Sequence, residues 1–522
     1  MKRLIMPLLA AGAMVLSTGP AHADLGDQLF KLLPDDGEAS DWFGFSVAIS
    51  GSTAIVGARS DDDNGRLSGS AYLFDTATGQ QLFKLLADDG AFLDQFGWSV
   101  AISGAIAIVG APSDDDNGTD SGSAYLFDTT TGQQLFELLP DDGAALDQFG
   151  ISVAISGATA IVGARFADDN GAESGSAYLF DTTSGRQIAK LLANDGAAVD
   201  IFGISVAISG ATAIVGAIGD DDNGTQSGSA YLFDTTTGRQ IAKLLANDGA
   251  ANDWFGWSVA ISGITAIVGA HFDDDDGTSS GSAYLFDTTS GLQIAKVLAG
   301  DGAAHDEFGI SVAISGAPEH ETAIVGAWRD DDNGSAYLFD ISDPANPAQI
   351  FKLLADDGAA SDRFGFSVAI SGATAIAGAY RDEDNGPFSG SAYLFDAAAA
   401  PAKCPWDLDG DGTVGASDLV ILVQSFGPCD GHCPADFDGD GFVGVLDLLA
   451  LIANFGECPG TGCPWDVNGD GVVDHLDVRA VNDNKGPCGD PDNCPWDVNG
   501  DSVVDGADVS EVATHFGPCP KE

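Results

Sequence analysis

The sequence is poor in basic residues and, over most of its length, contains no cysteine. Its 522 residues include 20 Lys and Arg against 79 Asp and Glu, which gives a formal net charge of −59. This charge excludes nucleic acid and anionic membranes as expected partners, because both would repel the chain. No apolar stretch is long enough to span a bilayer, so we expect no membrane insertion either.

The beginning of the chain has the pattern of an export signal. Lys2 and Arg3 precede a largely apolar stretch over 4–16, and Ala21-His22-Ala23 is a small-residue cleavage pattern. We therefore predict a signal peptide over 1–23 and a mature protein that is secreted, either extracellular or at the cell surface.

The dipeptide Phe-Gly recurs along the chain at almost constant spacing, with five intervals of 53 residues and a last one of 56. The copies begin at Phe43, Phe96, Phe149, Phe202, Phe255, Phe308 and Phe364. Each unit holds four short apolar segments of the type SVAIS, TAIVGA, SAYLF and QLFKLL, separated by turn residues, which predicts four antiparallel strands. Small side chains fill the first segments and large ones the last, as a wedge-shaped blade requires. The pattern predicts a mainly β fold, a seven-bladed β-propeller over 24–396.

The two ends of the repeat region are complementary. The seventh unit stops at Asp396 and lacks the fourth segment, whereas 28–33 is such a segment ahead of the first Phe-Gly. An open solenoid would need atypical polar units at its ends, and the terminal copies here resemble the middle ones. We therefore predict a ring that is closed by strand 28–33.

The unit resembles the FG-GAP repeat of integrin-α-like propellers, through the text FGxSVAISGxTAIVGA and GSAYLFD. The resemblance implies a propeller that serves in binding or cell adhesion. Calcium-binding members of that family carry an acidic loop between the first two strands. Here that connection is only a short turn such as Ser50-Gly51-Ser52, so those ligands do not carry over.

Acidic residues lie instead in two other connections of each unit. One follows the second strand, as in 61–64, 114–117, 220–223 and 330–333, and the other precedes the next first strand, as in Asp88, Asp89 and Asp94 or Asp141, Asp142 and Asp147. In an up-and-down blade both connections fall on the same face. We expect one face with a ring of carboxylates, and two interpretations stay open: bound calcium, or a solvated acidic rim.

The composition changes after a short Ala/Pro linker at 397–403. Four units follow, and in each of them two cysteines are separated by 25 residues. The candidate disulfide cysteines are Cys404, Cys429, Cys433, Cys458, Cys463, Cys488, Cys494 and Cys519. The equal spacing suggests one bridge closing each unit, although eight cysteines allow about 105 pairings.

Each of the four units contains an EF-hand-like loop with oxygen ligands at positions 1, 3, 5, 7 and 12. The candidate calcium ligands, some through the backbone carbonyl, are Asp407, Asp409, Asp411, Thr413 and Asp418; Asp436, Asp438, Asp440, Phe442 and Asp447; Asp466, Asn468, Asp470, Val472, Asp474 and Asp477; and Asp497, Asn499, Asp501, Val503, Asp505 and Asp508. Ser502 replaces the turn glycine in the fourth loop, which should weaken that site. The sequence predicts Ca²⁺ as the cofactor.

An aspartate at position 12 followed by an apolar helix is similar to the dockerin repeat. The resemblance implies small α-helical EF-hand-like modules in two dockerin-like pairs, 404–458 and 463–519, and a cohesin-like or cell-envelope partner. The positions that match dockerin contact residues are Ala416, Ser417, Val445, Leu446, His475, Leu476, Gly506 and Ala507. None of these pairs is the Ser-Thr pair of cellulosomal dockerins.

Nearly identical units rarely supply a unique catalytic constellation, and no Ser/His/Asp or Cys/His arrangement is recognisable. The off-pattern residues His271, His305, Asp306 and Glu307 are the one cluster that we single out as a possible site. Two function classes stay open. The first is a secreted, calcium-binding, non-catalytic binding, adhesion or scaffold protein that contacts an extracellular protein or polysaccharide. The alternative is a polysaccharide-degrading enzyme or accessory subunit of a dockerin-borne complex.

Overall fold

The computed structural model describes residues 25–316, 321–397, 408, 413–428 and 442–453, together with 456–457, 472–473, 486–487, 503–504 and 517–518. The chain divides into two compact units, Met1–Ala399 and Ala400–Glu522, and each is treated by itself. Among the described residues, no helix is long and apolar enough to cross a membrane.

The first unit contains seven four-stranded antiparallel sheets, which we number as blades 1 to 7 by their Phe-Gly copies. The first strand in the chain, β1 (Gln28–Leu32), is followed by β2 (Phe43–Ser50), β3 (Thr53–Ala58), β4 (Ser70–Asp75) and β5 (Gln81–Leu85) of blade 1. Blade 2 has β6 (Ser99–Ser103), β7 (Ile106–Ala111), β8 (Ser123–Asp128) and β9 (Gln133–Leu138), and blade 3 has β10 (Phe149–Ser156), β11 (Thr159–Ala164), β12 (Ser176–Asp181) and β13 (Arg186–Leu191). Blade 4 has β14 (Phe202–Ser209), β15 (Thr212–Ala217), β16 (Ser229–Asp234) and β17 (Arg239–Leu244), and blade 5 has β18 (Ser258–Ser262), β19 (Thr265–Ala270), β20 (Ser282–Asp287) and β21 (Gln293–Val297). Blade 6 has β22 (Phe308–Ser315), β23 (Thr322–Ala327), β24 (Ser335–Asp340) and β25 (Ala348–Leu353), and blade 7 has β26 (Phe364–Ser371), β27 (Thr374–Ala379) and β28 (Ser391–Asp396).

The ring closes through the first strand of the chain. β1 pairs antiparallel with β28, with Lys31 opposite Tyr393 and Leu32 opposite Ala392, so that blade 7 has the order β1-β28-β27-β26. The sequence prediction of a mainly β, seven-bladed propeller closed by the displaced strand is confirmed.

The hydrophobic core lies between blades, because each blade is apolar on both faces. Ile55 and Leu73 of blade 1, for example, pack against Phe96, Val109 and Tyr125 of blade 2. Equivalent clusters join every neighbouring pair, including blades 7 and 1. Burial on both faces explains why the strands show little polar alternation.

The Phe-Gly dipeptide sits at the closest approach of two blades. Phe96 is buried against Tyr125 and Phe127, edge to face, with ring centroids 5.6 and 5.7 Å apart. Gly97 has a φ of +88°, and a Cβ there would lie 2.2 Å from the carbonyl oxygen of Ser70 in the preceding blade. Only glycine therefore fits at this position, which accounts for the invariance of the dipeptide across the units.

The second unit has two helices and eight two-residue strands among its described residues. In chain order these are β29 (Thr413–Val414), α1 (Ala416–Gln424), β30 (Gly427–Pro428), β31 (Phe442–Val443), α2 (Val445–Ala453), β32 (Gly456–Glu457), β33 (Val472–Val473), β34 (Gly486–Pro487), β35 (Val503–Val504) and β36 (Gly517–Pro518). β29 pairs with β32 and β30 with β31, while β33 pairs with β36 and β34 with β35. Val414, Leu422, Val443 and Leu451 form a small core between the two helices.

Candidate functional site

One face of the propeller carries the acidic loops, as the sequence predicted, but lysines hold most of them together. In blade 1, Lys84 on the fourth strand places its Nζ 2.7 Å from Asp36, 3.0 Å from Asp61 and 2.5 Å from Asp63. Asp36 belongs to the loop before the blade, and the other two aspartates belong to the loop after its second strand. We call this arrangement a lysine bridge, and we call the face that carries it the acidic face.

Six of the seven blades contain a lysine bridge, with Lys31 completing the one in blade 7. The lysines are Lys31, Lys84, Lys190, Lys243, Lys296 and Lys352. Burial lowers the pKa of Lys84, but its hydrogen bonds to Asp36 and Asp63 more than offset this effect and raise the pKa above its usual value. The lysine therefore acts as a fixed cation that neutralises part of the charge of the surrounding carboxylates.

A buried tyrosine completes most of the bridges. In blade 1 the hydroxyl of Tyr72, on the third strand, donates to Asp61 at 2.7 Å and to Asp36 at 3.2 Å. Blade 3 departs from the pattern because Ala167 stands where the other blades have the buried aspartate. Lys190 there still binds Asp142 at 2.6 Å and also contacts Asp169, and the Tyr178 hydroxyl interacts with Lys190 and Asp142 in place of a buried aspartate.

Blade 2 departs in a different way, because Glu137 replaces the lysine. Its carboxylate faces Asp89, Asp114 and Asp116, the equivalents of the three aspartates in blade 1. Burial, followed by the Asp116 carboxylate, raises the pKa of Glu137 to about 8. Blade 2 thus gathers four carboxyl groups at a place where the other blades have an ammonium group.

A second feature that recurs from blade to blade on the acidic face is an aspartate two residues before each Phe-Gly. Asp253 accepts the backbone N–H of Ala250 at 2.6 Å and is only 7% exposed. The residues on either side of it, Asn252 and Trp254, have φ values of 71° and 56°. Burial raises the pKa of Asp253 to about 6. The hydrogen bond fixes a loop whose backbone is unfavourable for residues other than glycine.

Aromatic side chains gather where the first strands of several blades meet on the acidic face. The Arg59 guanidinium lies over Trp42 at 4.3 Å, over Phe45 at 4.4 Å and over Trp98 at 4.4 Å. Phe45 also contacts Phe366 at 5.1 Å and Tyr380 at 5.7 Å, measured between ring centroids. These residues come from blades 7, 1 and 2, and we call Trp42, Phe45, Arg59, Trp98, Phe366 and Tyr380 the aromatic cluster.

The aromatic cluster is partly accessible. All of its members are half-buried except Tyr380, which is buried. Burial lowers the pKa of the Arg59 guanidinium to about 10, and its Nε has no hydrogen-bond partner in the described part of the chain. An arginine held among aromatic rings with an unused N–H donor is a typical recognition group.

The off-pattern residues singled out in the sequence take two separate roles. His271 is only 2% exposed and packs among Trp254, Trp257 and Phe272, and its burial lowers the pKa to about 3. A neutral histidine in an aromatic pocket is a packing residue.

His305 and Asp306 instead line an open hollow of about 560 Å³, together with Arg329, Asp331 and Arg363. Glu307 is buried beneath it. This carboxylate accepts a hydrogen bond from Trp328 Nε1 at 2.6 Å and pairs with Arg329 at 2.7 Å. The structure therefore separates His271 from the polar hollow to which we expected it to belong.

Few of the predicted calcium ligands lie among the described residues. Asp418 accepts the backbone N–H groups of Leu408 at 2.6 Å and Gly415 at 2.7 Å, and Asp447 accepts that of Gly444 at 2.7 Å. Both carboxylates are almost completely buried.

The position-7 residues of the four loops lie in short strands, namely Thr413 in β29, Phe442 in β31, Val472 in β33 and Val503 in β35. The other predicted ligands and all eight cysteines lie outside the described residues, so the calcium sites and the disulfides stay predictions.

Sequence reasoning missed the lysine bridges and the aromatic cluster. The signal for the bridges is the lysine of QLFKLL and IAKLL, which the size pattern of the strands explains only as a large outer residue. The signal for the cluster was variation: the residue after the second strand changes from blade to blade while its surroundings repeat. These residues are Arg59, Pro112, Arg165, Ile218, His271, Trp328 and Tyr380.

The fold and this face together define a closed seven-bladed β-propeller whose loops on one side are acidic and whose centre is aromatic. The sequence matches the FG-GAP repeat over 27–74, 80–127, 133–180, 186–233, 239–286, 292–339 and 348–395, which is well over half of the chain. The chain belongs to the FG-GAP repeat family. Each matched span begins with the fourth strand of one blade and ends with the third strand of the next. No curated protein sequence matches the chain.

Proposed function

We propose that this protein is a secreted, non-catalytic binding or adhesion protein that recognises an extracellular protein or a polysaccharide through its acidic face. The observation that carries the proposal is the aromatic cluster. Trp98 and Phe45 are half-buried, and the guanidinium of Arg59 lies 4.4 Å from the centroid of each ring. Tryptophan, tyrosine and arginine are the residues most enriched at the energetic centres of binding interfaces.

The surroundings of the cluster restrict its partner. Carboxylates ring the acidic face, and the lysine bridges neutralise only part of their charge. In blade 4, for example, Lys243 is the single cation among Asp195, Asp220 and Asp222. An anionic ligand would be repelled. The cluster therefore suits a neutral polysaccharide, whose sugar rings stack on aromatic faces, or a protein with a neutral or basic contact surface.

We propose further that the C-terminal modules bind Ca²⁺ and dock the protein to a cohesin-like or cell-envelope partner. The loop ligands are all oxygens, which is the donor set that calcium prefers. Asp418 and Asp447 hold their carboxylates at the ends of the first two loops by backbone hydrogen bonds, which supports a fit to the metal. The ions would neutralise carboxylates that otherwise repel each other across each loop.

The absence of catalysis is part of the proposal. The aromatic cluster joins rings to a guanidinium and contains no carboxylate, histidine, serine or cysteine. The alternative, a polysaccharide-degrading enzyme or accessory subunit, is favoured by one feature, the hollow that contains His305 and Asp306. A histidine and a carboxylate beside two arginines could act on a bound polymer, so the test must include turnover.

A glycan array and a pull-down from extracellular matrix extract, both with the full chain, test the proposal. We expect calcium-loaded wild type to bind and Trp98→Ala to lose at least about tenfold in affinity, because the substitution removes a central aromatic contact. Ile264→Ala is the matched control. Ile264 is 52% exposed and lies in the turn between the first two strands, on the opposite face, so this variant should bind like wild type.

Equal binding by wild type and Trp98→Ala would contradict the assignment of the aromatic cluster. Hydrolysis of an array glycan by wild type that is lost in His305→Ala would replace the proposal with the enzymatic alternative. If the protein still binds in the presence of a chelator, the propeller recognises its ligand without any calcium ion in the C-terminal modules.

A further inference from the structure

The aromatic cluster continues beyond blade 7 into blade 6. Phe366 contacts Trp328 of blade 6, with ring centroids 5.5 Å apart. The guanidinium groups of Arg329 and Arg363 lie 4.7 and 4.5 Å from the centroid of the same tryptophan ring. The indole Nε1 of Trp328 donates to the buried Glu307 at 2.6 Å, which fixes the orientation of the ring. The row of rings on the acidic face therefore extends one blade further than the cluster and includes additional arginines.

Blade 5 adds a further group of rings next to this row. Trp254 and Trp257 are stacked, with centroids 5.5 Å apart and an angle of 20° between the rings, and both are half-buried. The His271 ring packs against Trp257 at 4.8 Å. Burial, followed by the positive charge of Arg329, lowers the pKa of His271 to about 3. The blade 6 arginine therefore lies close enough to the blade 5 rings to act on them electrostatically.

These contacts connect five neighbouring blades, which are blades 5, 6, 7, 1 and 2. We call the series the arginine–aromatic arc and define it by Trp257, Arg329, Trp328, Phe366, Phe45 and Trp98. Its last two steps are the contacts of Phe45 with Phe366 at 5.1 Å and with Trp98 at 5.2 Å. The arc is a narrow, curved strip of half-buried rings and exposed guanidinium groups.

The strip is broken at blades 3 and 4. Blade 4 has Ile204 and Ile218 at the two positions that supply rings and arginines elsewhere, and Ile151 occupies the first of these positions in blade 3. Arg165 of blade 3 lies over its own neighbour Phe166 at 4.6 Å, and within the described part of the chain neither residue makes a ring contact with blade 2. The acidic face is therefore asymmetric, although the repeats that build it are nearly identical.

The arginines in and beside the arc have unused hydrogen-bonding capacity. All six lysines of the propeller belong to lysine bridges, whereas Arg363 forms no ion pair with any described residue, and its Nε has no hydrogen-bond partner there. Burial, followed by the nearby Arg381 guanidinium, lowers the pKa of Arg363. Arg363 and Arg329 line the same open hollow. Their N–H groups are available to a ligand that carries acceptor oxygens.

Charge and width restrict what can occupy the arc. Asp331 and Asp332 line the same hollow as the two arginines, and the side chain of Asp331 is 84% exposed. A polyanion would be repelled by such carboxylates. A protein partner would cover about 800 Å² of this face, and it would have to remove water from the carboxylates beside the arc at a large cost. A single polysaccharide chain is narrow enough to follow the arc and leave them hydrated.

Building on the proposed function, we propose that the arginine–aromatic arc binds one linear, neutral polysaccharide chain along its length, from blade 5 through blades 6, 7 and 1 to blade 2. Sugar rings stack on the accessible parts of Trp257, Trp328 and Trp98, which present large apolar surfaces. The guanidinium groups of Arg329 and Arg363 donate to sugar hydroxyls. The polymer is bound along its side at several subsites, so affinity increases with the number of sugars until the arc is filled.

Calorimetric titration of the full chain with linear oligosaccharides of glucose, mannose and xylose, from disaccharide to hexasaccharide, tests the inference. We expect the best hexasaccharide to bind at least about tenfold more tightly than its disaccharide, because the longer chain occupies more of the subsites at once. Equal affinities would overturn the arc and leave the proposed function in place, with a compact site at the aromatic cluster.

The nature of the occupant has its own outcomes. If no neutral sugar binds and the pull-down retrieves a protein, the polysaccharide is the wrong occupant although the protein is still a binding protein. If a polyuronic acid binds more tightly than every neutral chain, the choice of a neutral polymer is wrong. If neither a glycan nor a protein binds, the proposed function itself fails.

Trp257→Ala tests the end of the arc that lies outside the aromatic cluster. This variant should lose at least about tenfold in affinity for the hexasaccharide and keep its affinity for the disaccharide, because the aromatic cluster is intact. Trp257→Phe keeps a ring and should bind the hexasaccharide nearly as wild type does. Ile204→Ala changes the same position in blade 4 and is the matched control, with no expected effect on binding. Thermal unfolding shows that all three variants fold. Unchanged hexasaccharide affinity in Trp257→Ala would overturn the inclusion of blade 5 in the site.

Discussion

The aspartates that precede each Phe-Gly carry a charge in a place with little water. They are Asp41, Asp94, Asp147, Asp200, Asp253, Asp306 and Asp362, and all are 7 or 8% exposed. Burial raises the pKa of each, to about 6 for Asp41, Asp94 and Asp253. The folded state therefore holds a proton more tightly than the unfolded state, and ionisation of these residues opposes folding.

The substitution Asp253→Asn should stabilise the calcium-free protein at pH 8, by at least about 1 kcal/mol, because an amide oxygen can still accept the N–H of Ala250 and carries no charge. Because the folded-state pKa of Asp253 is raised, the stability that its protonated form contributes is fully present below about pH 4 and is lost as the pH rises through about 6. The stabilisation by the Asn substitution should therefore shrink as the pH is lowered from about 8 through about 6 to about 4. Urea unfolding at several pH values measures it.

Asp287→Asn in the same blade serves as a control with the opposite sign. Hydrogen bonds from Thr289 and Ser290 lower the pKa of Asp287. The ionised carboxylate therefore stabilises the folded state at neutral pH, and this contribution to stability is lost as the pH falls. This variant should be less stable than wild type at pH 8. If both substitutions stabilise the protein, or if neither does, burial does not control the pKa of the Asp253 carboxyl.

At the scale of the strand, the fourth segment of each blade has two functions. It completes the sheet, and its lysine joins the loops of the acidic face. In blade 7 both functions belong to β1, where Lys31 lies 2.6 Å from Asp357 and 3.1 Å from Asp382. The closing strand is thus fixed by its backbone pairing, by the buried Leu32 and by a lysine bridge.

Deletion of 25–33 should lower the unfolding temperature sharply and promote aggregation, because β28 becomes an exposed edge strand. Adding a synthetic peptide of residues 25–33 should restore much of the stability, since the groove that receives it is formed by the rest of blade 7. Differential scanning calorimetry measures both effects. The same peptide with Leu32→Asp is the control and should not rescue. An unchanged unfolding temperature after the deletion would contradict closure through β1.

The fold of the propeller was predictable because the constraints that produce it are local and repeated. Gly97 cannot be replaced without a clash against Ser70, so the dipeptide marks every blade in the sequence. The lysine bridges were not predictable in this way. A lysine such as Lys84 meets Asp36 across 48 positions, and strand periodicity alone does not show which loops meet. That Glu137 stands in the position of these lysines in blade 2 also becomes visible only when that geometry is known.

At the scale of the whole molecule, the net charge of −59 opposes compactness. The lysine bridges offset this repulsion over short distances but leave most carboxylates of the chain uncompensated. Salt screens the long-range repulsion, with a Debye length of about 30 Å at 0.01 M and about 8 Å at 0.15 M. Contacts as short as those of Lys243, which is largely buried, are screened much less.

The urea midpoint of the calcium-free protein should therefore rise when sodium chloride increases from about 0.01 M to about 0.15 M, because repulsion weakens more than the bridges do. Tryptophan fluorescence follows the transition. A neutral osmolyte at the same osmolality is the control and should have a smaller effect. A midpoint that falls with salt would indicate that ion pairing dominates repulsion in this chain.

Each matched repeat begins one strand before a blade, and this offset affects how the number of blades can change in evolution. Every span supplies the strand that finishes the preceding sheet and the three strands that begin the next one. Recombination that inserts or removes one span would alter the number of blades without leaving any sheet incomplete. The first and last strands of the propeller would still pair, so genetic variation in this architecture can alter the diameter of the ring while it preserves the closure.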